Sequence, residues 1–220
     1  MFEFDLFSQG ILESLYMTLV STGVAYLIGL PLGLLLIVTE KAQGKHARLF
    51  RVIHIVLGFV VNVGRSIPFI ILLVALIPFT RLVVGTSIGP TAAIVPLVVG
   101  AAPFVARMVE SSIKEVDYGV IEAARSMGAS TLQVVWKVLL PEARPSLLIG
   151  SAIAVTTIFG YSAMAGYVGG GGLGAIAINY GFYRFNARIM FIALVLSVIL
   201  VQILQEVGMR LAKKIDKRNS

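Results

Sequence analysis

Residues 122–141 read EAARSMGASTLQVVWKVLLP. Glu122, Arg125 and Ser126 open a polar stretch in a chain that is 58% hydrophobic and only 13% charged. Soluble domains carry about a quarter charged residues, and a mean hydropathy of +0.94 places most of this chain in a bilayer. A polar block of this kind marks a point where the chain leaves the lipid. The fold is legible by working outward from it.

Val116, Val120, Ala124 and Met127 recur at helical spacing, which predicts one apolar stripe on a short helix. Gly128 follows where a helix C-terminus favours a residue tolerant of the left-handed conformation. Ser130 and Gln133 then form an S-x-x-Q capping-box pattern for a second helix. Pro141 is expected to stop that helix, and Pro145 suits the first turn of the next one. On periodicity alone, a helix lying on lipid headgroups and a helix seated in a partner's groove fit the block equally.

Five apolar spans flank it, at about 15–38, 52–79, 91–109, 146–168 and 189–207. The first would make roughly 36 Å of helix, enough to cross a hydrocarbon core of about 30 Å. The class is therefore all-α and polytopic, one domain of 220 residues with a loop at about 110–145. The first fifteen residues carry Glu3, Asp5 and Glu13 and no Lys or Arg. They lack the positive region of a secretory signal, so the first span is expected to remain as an anchor.

Fourteen of the eighteen Lys and Arg residues fall on one side: Lys41, Lys45, Arg48 and Arg51, then five between Arg107 and Arg144, then five from Arg210 onward. By the positive-inside rule the N-terminus is outside and the C-terminus cytoplasmic, and the loop at 110–145 faces the cytoplasm. Because the basic residues sit at span ends, they indicate a membrane face rather than nucleic acid. The absence of cysteine excludes disulfides and thiolate metal sites.

Several residues invite a functional reading. Arg65 lies near the middle of the second span, where an arginine costs at least ~2.5 kcal/mol. With Asn62 and Ser66 beside it, the choice is between packing at a Pro68 kink and lining a pathway; no acid occurs within a span core to pair with it. His46 and His54 have no carboxylate at metal-ligand spacing and read as interfacial. Aromatic side chains near span ends read as interface anchors. The run GGGGLG (169–174) lacks the Lys-Ser/Thr of a phosphate loop and lies on the outer side, so it reads as a tight turn or a close helix approach. In GYSAMAG (160–166) the small residues permit close approach, and Tyr161 and Met164, three apart, are expected to project on one side with Ser162 between them.

The order Glu122-Ala123-Ala124, three residues, Gly128, nine residues, then Val138-x-Leu140-Pro141 resembles the EAA motif of ABC importer permeases, with Val138 replacing Ile. RSIPFIILL (65–73), IPFTRLVVGTSIG (77–89), VGAAPFVARMVE (99–110) and GYSAMAGYVGGGGLG (160–174) resemble the permeases of methionine importers more narrowly. The likeness covers nearly the whole chain, least clearly the first fourteen residues and the tail.

It implies a type I importer fold and a coupling helix in which Glu122, Ala123, Ala124, Arg125, Met127 and Gly128 meet an ATPase subunit. It further implies a homodimer, two cytoplasmic ATPase subunits, an external binding protein, methionine including the D-form as substrate, and no cofactor. The likeness also implies Met164 as the gate, where periodicity alone would have it pack against lipid or a neighbouring span; Tyr161, Ser162, Asn62 and Arg65 are pathway candidates from their own placement. Another amino acid or a quaternary amine is the alternative substrate. A membrane enzyme would need a catalytic constellation that the sequence lacks. A passive channel would need no EAA loop.

Overall fold

The computed structural model describes residues 2–40 and 47–215, all helix and connection with no strand among them. His46, Lys41, Lys45, Lys217 and Arg218 lie outside the described residues. Among the described residues, five helices are long and apolar enough to cross a bilayer. They are α1 (Phe2–Glu40), α2 (Ala47–Ser66), α5 (Pro90–Lys114), α9 (Arg144–Ala165) and α11 (Ala187–Ile215). Between them stand α3 (Phe69–Ala75), α4 (Ile77–Val84), α6 (Tyr118–Ser126), α7 (Thr131–Val134), α8 (Leu140–Glu142) and α10 (Gly172–Ile176).

The expected second span, 52–79, is not one helix. It ends at Ser66, and Pro68 becomes the N-cap of α3 with φ −58° and ψ 129°. A proline lacks an amide hydrogen and drives its predecessor out of the helical region, so the helix stops two residues earlier. At most other boundaries the helices outrun the apolar runs, the exception being α9, which ends at Ala165. α1 starts thirteen residues before the expected first span, and α5 continues through Glu110 to Lys114. Pro141 does not stop its helix either. A π-helical segment, Val135–Leu139, carries the chain into α8 with Pro141 in its first turn, where the missing N–H costs nothing.

The described residues form two compact units, 2–25 with 67–101 and 153–206, and 26–40 and 47–66 with 102–152 and 207–215. α1, α5, α9 and α11 each contribute a segment to both.

In the first unit the core gathers Phe7, Phe159, Leu173, Ile176, Ile189 and Ala193. The glycine run is explained here. Gly171 and Gly172 have φ of +84° and +76°. A Cβ on Gly171 would lie 2.6 Å from Glu13 Oε2, and one on Gly172 2.6 Å from Ser14 Oγ. Bare backbone is required for the loop to lie on α1. There the Glu13 carboxylate accepts from Gly172 N at 2.7 Å and Ser14 Oγ from Leu173 N at 2.9 Å.

In the second unit Leu36, Val61 and Ala106 form the core with Leu32 and Leu57. Here α1 lies directly on α5. A Cβ on Gly29 would sit 2.7 Å from Val105 Cβ, and one on Gly33 2.7 Å from Val109 Cβ. GLPLG (29–33) is thus a G-x-x-x-G contact, the sequence signal for close helix approach in lipid. His54 is structural: its Nδ1 lies 3.1 Å from Leu36 O and 3.4 Å from Thr39 Oγ1, fastening α2 to the end of α1.

Candidate functional site

The polar block is a capped helix pair. Asp117 caps α6, its Oδ1 accepting from Gly119 N at 2.6 Å. At the other end Gly128 adopts φ +82°; its N–H donates to Arg125 O at 2.9 Å, and Ala129 N–H donates to Ala124 O at 3.1 Å. These two bonds are the Schellman pattern that satisfies orphan carbonyls at a helix end. Ser130 then forms the expected capping box with Gln133, at 3.4 Å to Gln133 N and 2.8 Å back from Ser130 N.

The predicted apolar stripe is corrected. Val116 and Ala124 are buried, but Val120 is 42% and Met127 82% exposed. α6 starts only at Tyr118, so Val116 stands ahead of the helix and is out of register with it. Val134, Val135 and Leu139 supply buried residues instead. The outward side of the block displays Glu122, Ala123, Arg125, Ser126 and Met127, continued by the exposed side chains of Leu132 and Trp136. Exposed apolar and charged groups on a doubly capped, rigid helix pair suit a protein groove better than free solvent.

The ends of α1, α2 and α5 in the same unit are joined by a charge network that the sequence reading missed. Glu110, 5% exposed, accepts from Arg107 Nη1 at 2.6 Å and from Lys114 Nζ at 2.9 Å. Lys114 also pairs with Glu40 at 3.0 Å. Arg107 Nη2 donates to Asn62 Oδ1 at 2.9 Å and to Gly58 O at 3.2 Å. The polar patch expected around Arg65 is accordingly rearranged: Asn62 serves Arg107, and Ser66 Oγ donates to Asn62 O. Arg65 is exposed and makes no hydrogen bond or ion pair among the described residues. The available signal was the spacing of Arg107, Glu110 and Lys114, three and four apart, which pairs charges only if the helix reaches Lys114.

In the other unit GYSAMAG ends α9. Ala163 and Gly166 touch the backbone of Gly174 and Ala175, so small residues do permit a close approach there. Nothing lies within 4 Å of a Cβ built on Gly160. Ser162 is buried and donates to Phe159 O at 2.8 Å. Tyr161 and Met164, three apart on α9, have different surroundings. Tyr161 stacks on Phe69 with ring centroids 4.5 Å apart and planes 6° off parallel. Met164 is 43% exposed, on a stripe with Ile153, Gly160 and Tyr167. A stacked aromatic pair holds the Tyr161 ring against Phe69 and leaves Met164 as the projecting side chain.

The family model described as "Binding-protein-dependent transport system inner membrane component" matches residues 29–218. A probable D-methionine transport system permease protein from Vibrio cholerae is 50% identical over 214 residues, covering 97% of this chain and 94% of that one. The D-methionine transport system permease protein of Escherichia coli K12 is 55% identical over 159 residues, 72% of this chain and 71% of its own length. A solved structure of the MetNI methionine ABC transporter in an inward-facing conformation superposes with a TM-score of 0.92. It is 51% identical and covers 98% of both chains. With five bilayer-length helices, a family model matched over residues 29–218 and half-identity along almost the whole chain, the chain belongs to the family of binding-protein-dependent transport system inner membrane components.

Proposed function

We propose that this chain is the membrane-spanning permease subunit of an ATP-driven importer of methionine, the D-form included. The observation that carries this is half-identity to D-methionine permeases along almost the whole chain, together with the capped block that leaves Glu122, Ala123 and Met127 exposed. The permease acts as a homodimer with two ATPase subunits and an external binding protein. It holds no catalytic residue; hydrolysis belongs to the ATPase. The N-terminus is outside and the C-terminus cytoplasmic, on the strength of the basic-residue distribution.

Mechanically, the block behaves as a knob. Glu122, Ala123 and Met127 meet the ATPase cleft, Arg125 stands at the edge of the block on the cavity side, Ala124 is the buried side that seats α6, and Gly128 turns the chain so that α7 and the π segment lead back to α9. Because α9 is one uninterrupted helix from Arg144 to Ala165, a displacement at the block can travel along it to Met164. Met is flexible and polarisable, so a pair of Met164 side chains from two copies can close a narrow opening and withdraw. Tyr161 and Ser162, fixed by stacking and burial, hold the helix on which Met164 moves. Arg65, exposed and without a partner among the described residues one residue before α2 ends, fits a pathway-lining role better than packing at a kink. Asn62 reaches the same region only as Arg107's partner.

The test is uptake of labelled methionine into vesicles holding the permease with its ATPase and binding protein, each amino acid and a quaternary amine serving as competitor. Competition by D- and L-methionine alone is expected. Equal competition by an unrelated amino acid or the amine would overturn the substrate assignment, and uptake independent of ATP would make the protein a passive channel.

A further inference from the structure

Beneath the coupling block lies a cavity of about 500 Å³ that no transport step above uses. That volume falls within the roughly 300–1,000 Å³ of small-ligand pockets. Its walls are Ile37 and Val38 of α1, Ile113 of α5, Ile121 of α6, and Val135 and Leu139 of the π segment. All belong to one compact unit. Charged groups lining it are Glu40, Lys114 and Arg125. Glu40 and Lys114 already neutralise each other at 3.0 Å, and Lys114 has a second carboxylate in Glu110. Arg125 is exposed and makes no ion pair among the described residues. Tyr118 and Thr131 add hydroxyls to a lining that is otherwise apolar, and among the described residues the uncompensated charge at the cavity is therefore positive.

Its depth is informative. Glu40 is the last residue of α1 and Lys114 the last of α5, both helices of bilayer-spanning length. The cavity thus lies where spans end and headgroups begin, beside a cation. We propose that it is a binding site for an anionic phospholipid, one acyl chain lying among Ile37, Ile113, Ile121 and Leu139 and the phosphate facing Arg125. A zwitterionic lipid would bring its own cation to Arg125, and a charged peptide segment would leave its backbone polar groups unpaired among these walls. The π segment shapes this wall, since it sets both Val135 and Leu139 against the cavity, and such segments recur at functional sites. A lipid seated here would touch α1, α5 and α6 together, so the stiffness of the coupling block against the membrane helices would depend on lipid composition. This inference goes beyond the substrate assignment and does not depend on it.

The experiment uses the permease with its ATPase subunits in nanodiscs of phosphatidylglycerol carrying a photoactivatable group at the end of one acyl chain, with labelled sites located by peptide mass spectrometry. Labels are expected on peptides holding Ile113, Ile121 and Val135. Arg125→Gln should reduce labelling about fivefold relative to a phosphatidylcholine probe, the effect of one basic residue near an anionic surface. Val135→Trp should abolish it by filling the cavity, with Ile121→Phe as a milder filling should the first variant not assemble. The unmodified protein is already decisive, since labels confined to the exposed faces of α2 and α11 would overturn the site. Equal labelling by phosphatidylcholine, labelling by a free fatty acid in preference to the phospholipid, or labelling only after removal of the ATPase would each overturn it too.

Discussion

The carboxylate of Glu13 accepts the backbone N–H of Gly172 at 2.7 Å, joining α1 to the start of α10 across 159 positions of sequence. Gln9 Nε2 holds the other carboxylate oxygen at 2.9 Å. An acid twelve residues into an apolar helix is thereby explained as an acceptor for an otherwise unpaired backbone donor.

Gly172→Ala should disrupt that junction. The residue needs φ +76°, and a Cβ would lie 2.6 Å from Ser14 Oγ and 2.9 Å from Met17 Cε. Overpacking of this kind costs roughly 1–3 kcal/mol, and the left-handed conformation adds about 1–2 kcal/mol. Glu13→Gln, which keeps an acceptor, should lose less. Thermal denaturation in detergent will show the order; a Gly172→Ala protein as stable as the parent would contradict the packing described here.

Glu110 offers a sharper electrostatic test. Glu110→Ala leaves Arg107 and Lys114 without their shared acceptor. A fully buried pair broken on one side loses about 3–5 kcal/mol. Lys114 is 45% exposed and retains Glu40, so roughly 2–3 kcal/mol is expected. The double variant Arg107→Leu with Glu110→Leu should recover most of the loss, because an apolar pair has no desolvation penalty. Additive losses in the double variant would mean that the two residues act independently.

Gly128→Val should abolish uptake while the permease still reaches the membrane. The turn requires φ +82°, which a β-branched residue adopts only under strain. No neighbour lies within 4 Å, so the effect is conformational and local to the coupling block. Glu122→Lys, exposed and outside the turn, should also block uptake by reversing a charge at the ATPase surface, with stability unchanged. Parental uptake by a stably inserted Gly128→Val protein would remove the coupling role.

Met164→Cys introduces the sole cysteine of the chain. If two copies meet at Met164, oxidation should yield a covalent dimer, and ATP with binding protein should slow its formation. The bond requires Cα atoms within about 7 Å. Ser162→Cys provides the control: Ser162 is 2% exposed and should stay monomeric. Crosslinking of Ser162→Cys in place of Met164→Cys would move the gate to another face of α9.

Much of the molecule was set by local chemistry and could be read directly. The apolar runs required bilayer helices, Gly128 and the Ser130–Gln133 pair dictated their own turn and cap, and the spacing from Glu122 to Pro141 carried the family likeness. These features depend on neighbours within a few positions, so the linear order contains them. Where helices begin and end was decided elsewhere. α1 takes in Glu13 where Gly172, far along the chain, supplies the donor for its carboxylate. α5 continues to Lys114 because Asn62 and Glu40 come from other helices to complete its charges. The partner of Tyr161 was likewise beyond a spacing rule, since Phe69, which stacks on its ring, lies far away in sequence. Burial in lipid makes each unpaired polar group expensive, so long-range partners, rather than hydropathy, fixed the positions of the charged residues.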